Sequence, residues 1–326
     1  MAMLKSAIHA TLAAGFIVML PNMAQAQQKF PAKPIRMIVP FSAGSQTDLL
    51  ARMIGQKMYE NWGQQVVVDN RSGAGGRLAS EMVLNANADG HNLLMVSAGH
   101  AVNASLYSKL PYDTVRDFSG ITQVASVPNV LVVAPSQNIK TVKDLIALAR
   151  QKPGQINFGS AGIGSGTHVN GEQFKLAAAI NVNHIPYKGT PEALTDTATA
   201  RITYFFSPLV PALPFIRDKR LVPLAVSTAA RSPALPDVPT VAEAALPGFE
   251  FDLWFGLLAS SKTPRPIVTL LNKEIIRILS LPDIKERMLR DGAVPKTNTP
   301  EQFDAFIRAE VDKLGKVVKA SGAKAE

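Results

Sequence analysis

The chain contains no cysteine. That absence excludes disulfides, thiolate nucleophiles and cysteine-ligated zinc, so stability has to come from packing. Aromatic residues are scarce at 6%, and the 34 Lys and Arg are scattered rather than gathered into a stripe. Nucleic-acid binding, which calls for a basic face interleaved with aromatics, is therefore not expected. No apolar run beyond the first 26 residues is long enough to span a bilayer. The Gly-x-Ser-x-Gly elbow, the Walker lysine loop and the His-Glu-x-x-His zinc pair are also missing. Gly162, Gly164 and Gly166 lack dinucleotide-binding spacing because Thr167 holds the third glycine's place, and the pair Gly73 and Gly75 fails in the same way at Leu78.

What is present begins with a secretory pattern. Lys5 supplies positive charge, Ala7 to Leu20 form an apolar core, and Ala24-Gln25-Ala26 fits a small-residue cleavage site before Gln27. The mature protein is expected outside the cytoplasm, in the periplasm. Removing residues 1–26 from the 326 leaves 300, and the formal charge falls only from +9 to +8, because Lys5 is the one charged residue lost. Such an excess favours anionic partners. The remaining length suits one large domain or two of about 150 residues.

Hydrophobic periodicity divides the mature chain into alternating strands and helices. An apolar run at Ile35 to Val39 stops at Pro40, and a helix follows from Thr47 to about Asn61, ended by Gly63. Val66 to Val68 read as a buried strand, Arg77 to Ala88 as a helix and Leu93 to Val96 as a strand. The pattern restarts with strand Val130 to Ala134 and a helix from the Thr141 cap to Lys152. Then come strand Ile156 to Gly159, helix Thr167 to Ala179, strand His184-Ile185, helix Pro191 to Thr199, and strands Ile202 to Phe206 and Leu221 to Val226. The tail carries a segment around Trp254 and amphipathic helices at Pro266 to Leu279 and Pro300 to Lys319. Helices there are expected to pack back on the first sheet. The chain is thus expected to be α/β, with residues 27–124 and 227–326 forming a discontinuous first domain and 125–226 a second, each a mostly parallel sheet flanked by helices.

Ligands of open α/β sheets bind beyond the carboxyl ends of strands, where helix N-termini offer unpaired N–H groups. Three loops meet that description: Phe41 to Thr47, Ser97 to Asn103, and Ser160 to His168. Their glycines let backbone amides approach an anion, and their hydroxyls add hydrogen bonds. Lys188 follows a strand end and could add positive charge, while Asp48, Asp196 and Asp218 read as helix-start carboxylates. A hydrolase using Ser165, His168 and Asp196 is conceivable, but neighbours on one helix turn rarely reach triad geometry. His100 and His168 lack the further ligands a metal would need, so neither metal nor cofactor is expected.

At these loops the sequence resembles the Bug family, the periplasmic receptors of tripartite tricarboxylate transporters. The resemblance rests on Pro34-Ile35-Arg36, Ile38-Val39-Pro40-Phe41, Ala43-Gly44 with Asp48 and Ala51-Arg52, and Val67-Val68 with Asn70 to Gly76. It continues through Leu110-Pro111-Tyr112-Asp113, Asp117-Phe118, Pro186-Tyr187-Lys188-Gly189, Thr195-Asp196 and Leu224-Ala225-Val226. Arg231-Ser232, Leu235 to Thr240 with Glu243, Trp254-Phe255-Gly256 and Thr263-Pro264 complete it. The resemblance implies a two-domain, hinged periplasmic-binding-protein (Venus flytrap) fold without enzymatic activity. It also implies a ligand that is an aromatic, di- or tricarboxylate or an amino acid, delivered by a monomer to integral membrane permease subunits. A sensor passing occupancy to a membrane kinase would use the same pocket. By position, the implied contacts are Phe41, Ser42, Gly44, Ser45, Thr47, Ser97 and His100 from the first domain. The second supplies Gly162, Gly164, Ser165, Thr167, His168, Tyr187 and Ser207. Two departures stand out: Ser45 replaces a usual glycine, and Thr197 to Arg201 replace a Gly-Gly turn after Asp196.

Overall fold

A computed structural model describes residues 30–325. The secretory segment expected at 1–26 lies outside the described residues, among which no helix is long and apolar enough to cross a membrane. The chain opens with β1 (Ile35–Val39), α1 (Gln46–Trp62), β2 (Val66–Asn70), α2 (Arg77–Leu84), β3 (Asn92–Ser97) and α3 (Gly99–Leu106). Then β4 (Phe118–Val133) leads through α4 (Val142–Gln151), β5 (Asn157–Ser160), α5 (Gly166–Ala178) and β6 (Asn183–Pro186). The same half ends with α6 (Thr190–Ala198), β7 (Tyr204–Pro208), α7 (Leu209–Arg217) and β8 (Val222–Val226). The tail adds α8 (Val241–Ala244), β9 (Asp252–Ser260), α9 (Arg265–Leu279), α10 (Pro282–Arg290), β10 (Val294–Pro295) and α11 (Pro300–Ser321).

These elements form the expected α/β architecture of two lobes joined through one long strand. The first sheet runs β2-β1-β3-β9-β4, with β10 also on β4, and the second runs β8-β4-β7-β5-β6. In the first, β2, β1, β3 and β4 point one way and β9 and β10 the other. In the second, β6, β5, β7 and β8 share a direction that β4 opposes. Strand β4 changes sheets at a defined place: Pro128 is its last partner to β9, and Asn129 its first to β7. A proline suits that position, because it has no N–H to offer either ladder. The returning chain passes alongside, where the Ser227 hydroxyl donates to the Phe251 carbonyl at 2.6 Å and accepts from the Asn129 amide at 3.1 Å.

Several expectations need correction. The triplet Val66 to Val68 is an edge strand rather than a buried one: β2 pairs only with β1, and Val67 is 49% exposed. Helix α2 stops at Leu84, short of Ala88, in a stretch where short polar side chains take over backbone groups, as Asp89 does with the His91 amide. The strand expected only at Val130 to Ala134 is the end of the 16-residue β4, whose first part is hidden by Ser119, Gly120, Thr122 and Gln123. The Trp254 segment is a fully integrated central strand, and α3, α7 and α10 were not anticipated. Pro211 and Pro214 mask α7.

The C-terminal helices do pack back on the first sheet. Asn272 of α9 donates to the Ile121 carbonyl at 2.8 Å, and the Trp254 indole donates to Glu310 of α11 at 2.9 Å. The tip of the Phe303 ring packs on β9, and a Cβ added at Gly256 would fall 2.1 Å from its Cζ. Gly256→Ala is accordingly expected to destabilise the protein by roughly 1–3 kcal/mol through overpacking. A chemical-denaturation midpoint equal to wild type would contradict this packing.

Two buried histidines, His100 and His168, and the partly buried His184 fasten the loops to the cores. His100 has Nε2 3.1 Å from the Thr114 carbonyl and meets Phe118 edge-on, and burial lowers it to about 4. His168 and His184 stack at 4.0 Å, and His184 Nε2 lies 2.6 Å from the Ser160 hydroxyl. Burial, reinforced by the charge of Lys175, lowers His168 to about 4; burial, with His168 and Lys175, lowers His184 to about 2. Unfolded rings titrate near 6.5, so between about pH 6.5 and 4 the unfolded chain binds more protons and stability falls with acidification. Burial alone would raise Asp89, but hydrogen bonds from Lys33 and the His91 amide hold it at about 2, placing its effect below this window. Melting temperature is expected to be flat above pH 7 and to drop from pH 6.5 to 4. In His100→Gln that slope should be shallower, and a slope identical to wild type would remove His100 from the account.

Candidate ligand-binding site

The strand ends β1, β3, β5, β6 and β7 all open toward the same space, and each is followed by a helix start. Between the lobes lies a cavity of about 20 Å³, room for about one water. Ser45, Gln46 and Thr47 at the start of α1 line one side, with Ser97 after β3. Facing them are Ser165, Gly166 and Thr167 at the start of α5 and Thr190 at the start of α6. Phe41, Ala161, Pro208, Leu253 and Phe255 supply apolar walls, and no charged side chain lines the cavity. Gln46 Oε1 and Thr47 Oγ1 are buried without a hydrogen-bond partner among the described residues.

The three helix starts are capped differently, and only that of α1 lacks a side-chain acceptor. Ser45 is the N-cap of α1, yet its hydroxyl makes no bond to its own helix and instead accepts the Thr190 amide of the other lobe at 3.1 Å. The first-turn amides of α1 therefore lack the side-chain acceptor they would normally have. In α5, the Ser165 hydroxyl accepts from the His168 amide at 3.2 Å, and Thr167 Oγ1 accepts from the Ala161 amide at 2.9 Å. Burial would raise Asp48, but hydrogen bonds from Arg52, the Gly44 amide and Asn70 hold it below the ordinary carboxylate range. Its charge is thus met by Arg52, with Nε at 3.0 Å.

Two further bonds cross the cleft: the Ser42 amide to the Lys188 carbonyl at 3.2 Å, and the Ser42 hydroxyl to Glu192 Oε2 at 2.9 Å. They meet at Gly189, where an added Cβ would lie 2.0 Å from the Ser42 hydroxyl and 2.6 Å from that of Ser45. Only glycine lets the two loops come this close.

Six of the residues singled out in the sequence line the cavity: Phe41, Ser45, Thr47, Ser97, Ser165 and Thr167. Gly162 and Tyr187 line a larger adjoining pocket instead, and His100 a small one of about 10 Å³ beneath Phe41 and Ser97. Ser42 bridges the lobes outside the cavity, and Gly44, at φ 82°, shapes the loop. The Gly164 amide donates to His168 Nδ1 at 3.2 Å, which turns that ring toward His184. Ser207 is fully buried, its hydroxyl 3.0 Å from the Pro208 carbonyl. Gln46, Ala161 and Gly166 also line it and fall inside the loops singled out, whereas Thr190, Pro208, Leu253 and Phe255 were missed. Leu253 and Phe255 reach the cavity from a distant strand, β9.

Asp48 is a helix-start carboxylate as expected, but Asp196 and Asp218 stand at the C-terminal ends of α6 and α7. Asp196 accepts from the Tyr187 hydroxyl at 2.8 Å and from Arg201 at 3.2 Å. In the altered turn behind it, Ala200 takes the left-handed conformation at φ 57°, one that a glycine would adopt without strain. Ser165, His168 and Asp196 do not assemble into a triad, since the His168 ring is committed to Gly164 and Asp196 to Tyr187. Among the described residues no group of three or more His, Asp or Glu could hold a metal ion.

Residues 50–323 match the model of the tripartite tricarboxylate transporter family receptor. The chain is 37% identical over 296 residues to a UPF0065 protein from the tcbD-tcbE intergenic region of Pseudomonas sp. strain P51, covering 90% of this chain and 88% of that one. It is 36% identical to BugT of Bordetella pertussis, covering 90% and 91%. Among solved structures, R. palustris Rpa4515 with adipate superposes with a TM-score of 0.88 at 35% identity, covering 90% and 99%. MatC of Rhodopseudomonas palustris with bound malate gives 0.83 at 30% identity, covering 89% and 100%. These relatives are solute-binding proteins rather than enzymes, and the chain belongs to the tripartite tricarboxylate transporter receptor family.

Proposed function

We propose that this solute-binding receptor is exported to the periplasm by cleavage after Ala26, closes on a small carboxylate, and hands it to the membrane permease of a tripartite tricarboxylate transporter. The observation that carries the reading is the cavity itself. Three helix starts from two lobes border it, no charged side chain of the described residues lines it, and Thr47, one of its lining residues, has a buried hydroxyl without a partner among them. First-turn amides accept an anion without requiring a buried counter-charge. Adipate and malate, named with two of the similar structures, are carboxylates and support the chemical class.

With the lobes this close the cavity has room for about one water, so a carboxylate enters when they part and is held with them slightly further apart than here. The moving units are proposed to be 27–124 with 227–326, and 125–226. The change of sheet along β4 at Pro128 and Asn129, with the return beside Ser227, supports crossings close to those boundaries.

Small-angle scattering on the mature protein, across a panel of aliphatic and aromatic carboxylates, is expected to show compaction together with a rise in melting temperature for at least one member. If neither change occurs with any member, the carboxylate-receptor reading is lost. Gly189→Ala is expected to weaken binding of that ligand about tenfold, close to 1.4 kcal/mol, because the methyl group strikes Ser42 and Ser45 only when the lobes close. Unchanged affinity would mean that the contact at Gly189 is not part of the bound form.

A further inference from the structure

On the side of the crossing strands away from the cleft lies another cavity, of about 390 Å³, within the size range of small-molecule sites. Side chains alternate between the faces of a strand, and residues paired across an antiparallel ladder share a face. Leu253 and Phe255 of β9 line the inner cavity, so Asp252 and Trp254 face the opposite way. Their partners on β4 are Pro128 and Ser126, and these two line the rear cavity. Its other walls come from the loop between Thr228 and Pro233, which runs on from β8, and from Leu289, Gly292 and Val294 around the turn from α10 to β10.

The polar groups in these walls are already engaged. The Ser126 hydroxyl lies 2.6 and 2.7 Å from the two carboxylate oxygens of Asp252, the Thr228 hydroxyl donates to the Ala230 carbonyl at 2.8 Å, and the Ser232 hydroxyl accepts the Ala234 amide at 3.3 Å. Arg231, the one charged residue among those lining the cavity, donates to Glu243 at 2.8 Å and to the Pro236 carbonyl at 3.3 Å. What remains on offer is carbon, from Pro128, Ala230 and Pro233 and from the exposed Leu289 and Val294. An ionised guest would lose hydration there without gaining a partner, whereas an apolar guest gains from burial.

We propose that this rear cavity is a second ligand site, that it takes a small neutral apolar molecule such as an aromatic hydrocarbon, and that its occupant favours the closed receptor. Strand β4 passes from one sheet to the other at Pro128 and Asn129, between the two cavities, so lobes that part in front approach each other behind. Contact behind is already close: a Cβ added at Gly292, in the first lobe, would lie 2.5 Å from Leu209 Cδ2 in the second. A molecule wedged between the loop after β8 and the α10–β10 turn resists that approach and shifts the equilibrium toward the closed form. The coupling rests on the parting of the lobes in the receptor reading above; occupancy of the rear site does not.

The test uses toluene and cyclohexane, with benzylammonium as a charged counterpart, followed by saturation-transfer NMR and small-angle scattering on the mature protein without added carboxylate. Both hydrocarbons are expected to bind, benzylammonium to bind about tenfold more weakly than toluene, and toluene to lower the radius of gyration. Ala230→Trp and Leu289→Trp place a new ring in the cavity from exposed positions, and each should abolish toluene binding. No saturation transfer from either hydrocarbon, or transfer equally strong in both variants, would overturn the site. Benzylammonium binding as tightly as toluene would overturn its apolar character. Toluene binding that both variants abolish, with the radius of gyration unchanged at saturation, would overturn the coupling to closure. None of these outcomes depends on which carboxylate the cleft accepts, so they are distinct from failure of the carboxylate panel.

Discussion

Every helix begins with amides that its own backbone cannot satisfy, and this protein places three such beginnings against one another across a cleft. The arrangement is unusual in how its caps are used. A serine at the start of α1 would ordinarily close off its own first turn. Here the Ser45 hydroxyl accepts the amide that begins α6, on the other lobe, so a single oxygen serves the foreign helix and leaves its own uncapped. Thr167 likewise accepts the Ala161 amide and fixes the loop before α5. The result is a small space bordered by donors, with no cationic side chain lining it. Burying a lysine or arginine there would carry a desolvation cost that backbone dipoles avoid.

The scaffold that holds these helix starts in opposition is β4. One strand belongs to both sheets, so the ends of β1 and β3 in one lobe and of β5, β6 and β7 in the other are aimed at a common region. The chain returns beside that strand at Ser227, which bonds both Asn129 and Phe251. At the crossing, Asn129 is fully buried and both polar atoms of its side chain lack partners, while its backbone amide is held by Ser227. Backbone pairing is thus the polar tie at the crossing, within a stretch where Val127, Asn129 and Val130 are all fully buried.

Much of this was legible in the sequence, and the divisions between what was and was not have physical causes. The alternation of strand and helix, the Thr141 cap and the glycine-rich loops are local signals, readable within a few residues, and they placed both lobes and six cavity residues. The capping box at Thr141 is present, with Asp144 reaching back to the Thr141 amide. What escaped was set by distant partners. The first part of β4 carries little apolar periodicity because β9 and α9 bury it from outside the segment. Leu253 and Phe255 enter the cavity on a strand inserted between β3 and β4, which no nearby residue announces. His168 shows the same limit: its neighbour in sequence is Ser165, but its ring stacks on His184, which no local signal announces.

Few hydrogen bonds join the two sides at the mouth, beside the close backbone approaches of Gly99 to Gly164 and of Gly75 to Ile163. The bonds that cross there are those of Ser42 with Lys188 and Glu192, and of Ser45 with Thr190. An ordinary hydrogen bond contributes a net of about 0.5–1.5 kcal/mol, because the same groups bond to water when apart. A few such bonds bias the lobes toward one another by no more than a few kcal/mol, which is the range a small ligand can control through its own differential contacts. Stronger ties, such as a buried ion pair or a broad apolar seam, would close the cleft without a guest and make its state uninformative. The use of serine hydroxyls and a bare Gly189 at this junction therefore suits a receptor whose closed form has to depend on occupancy.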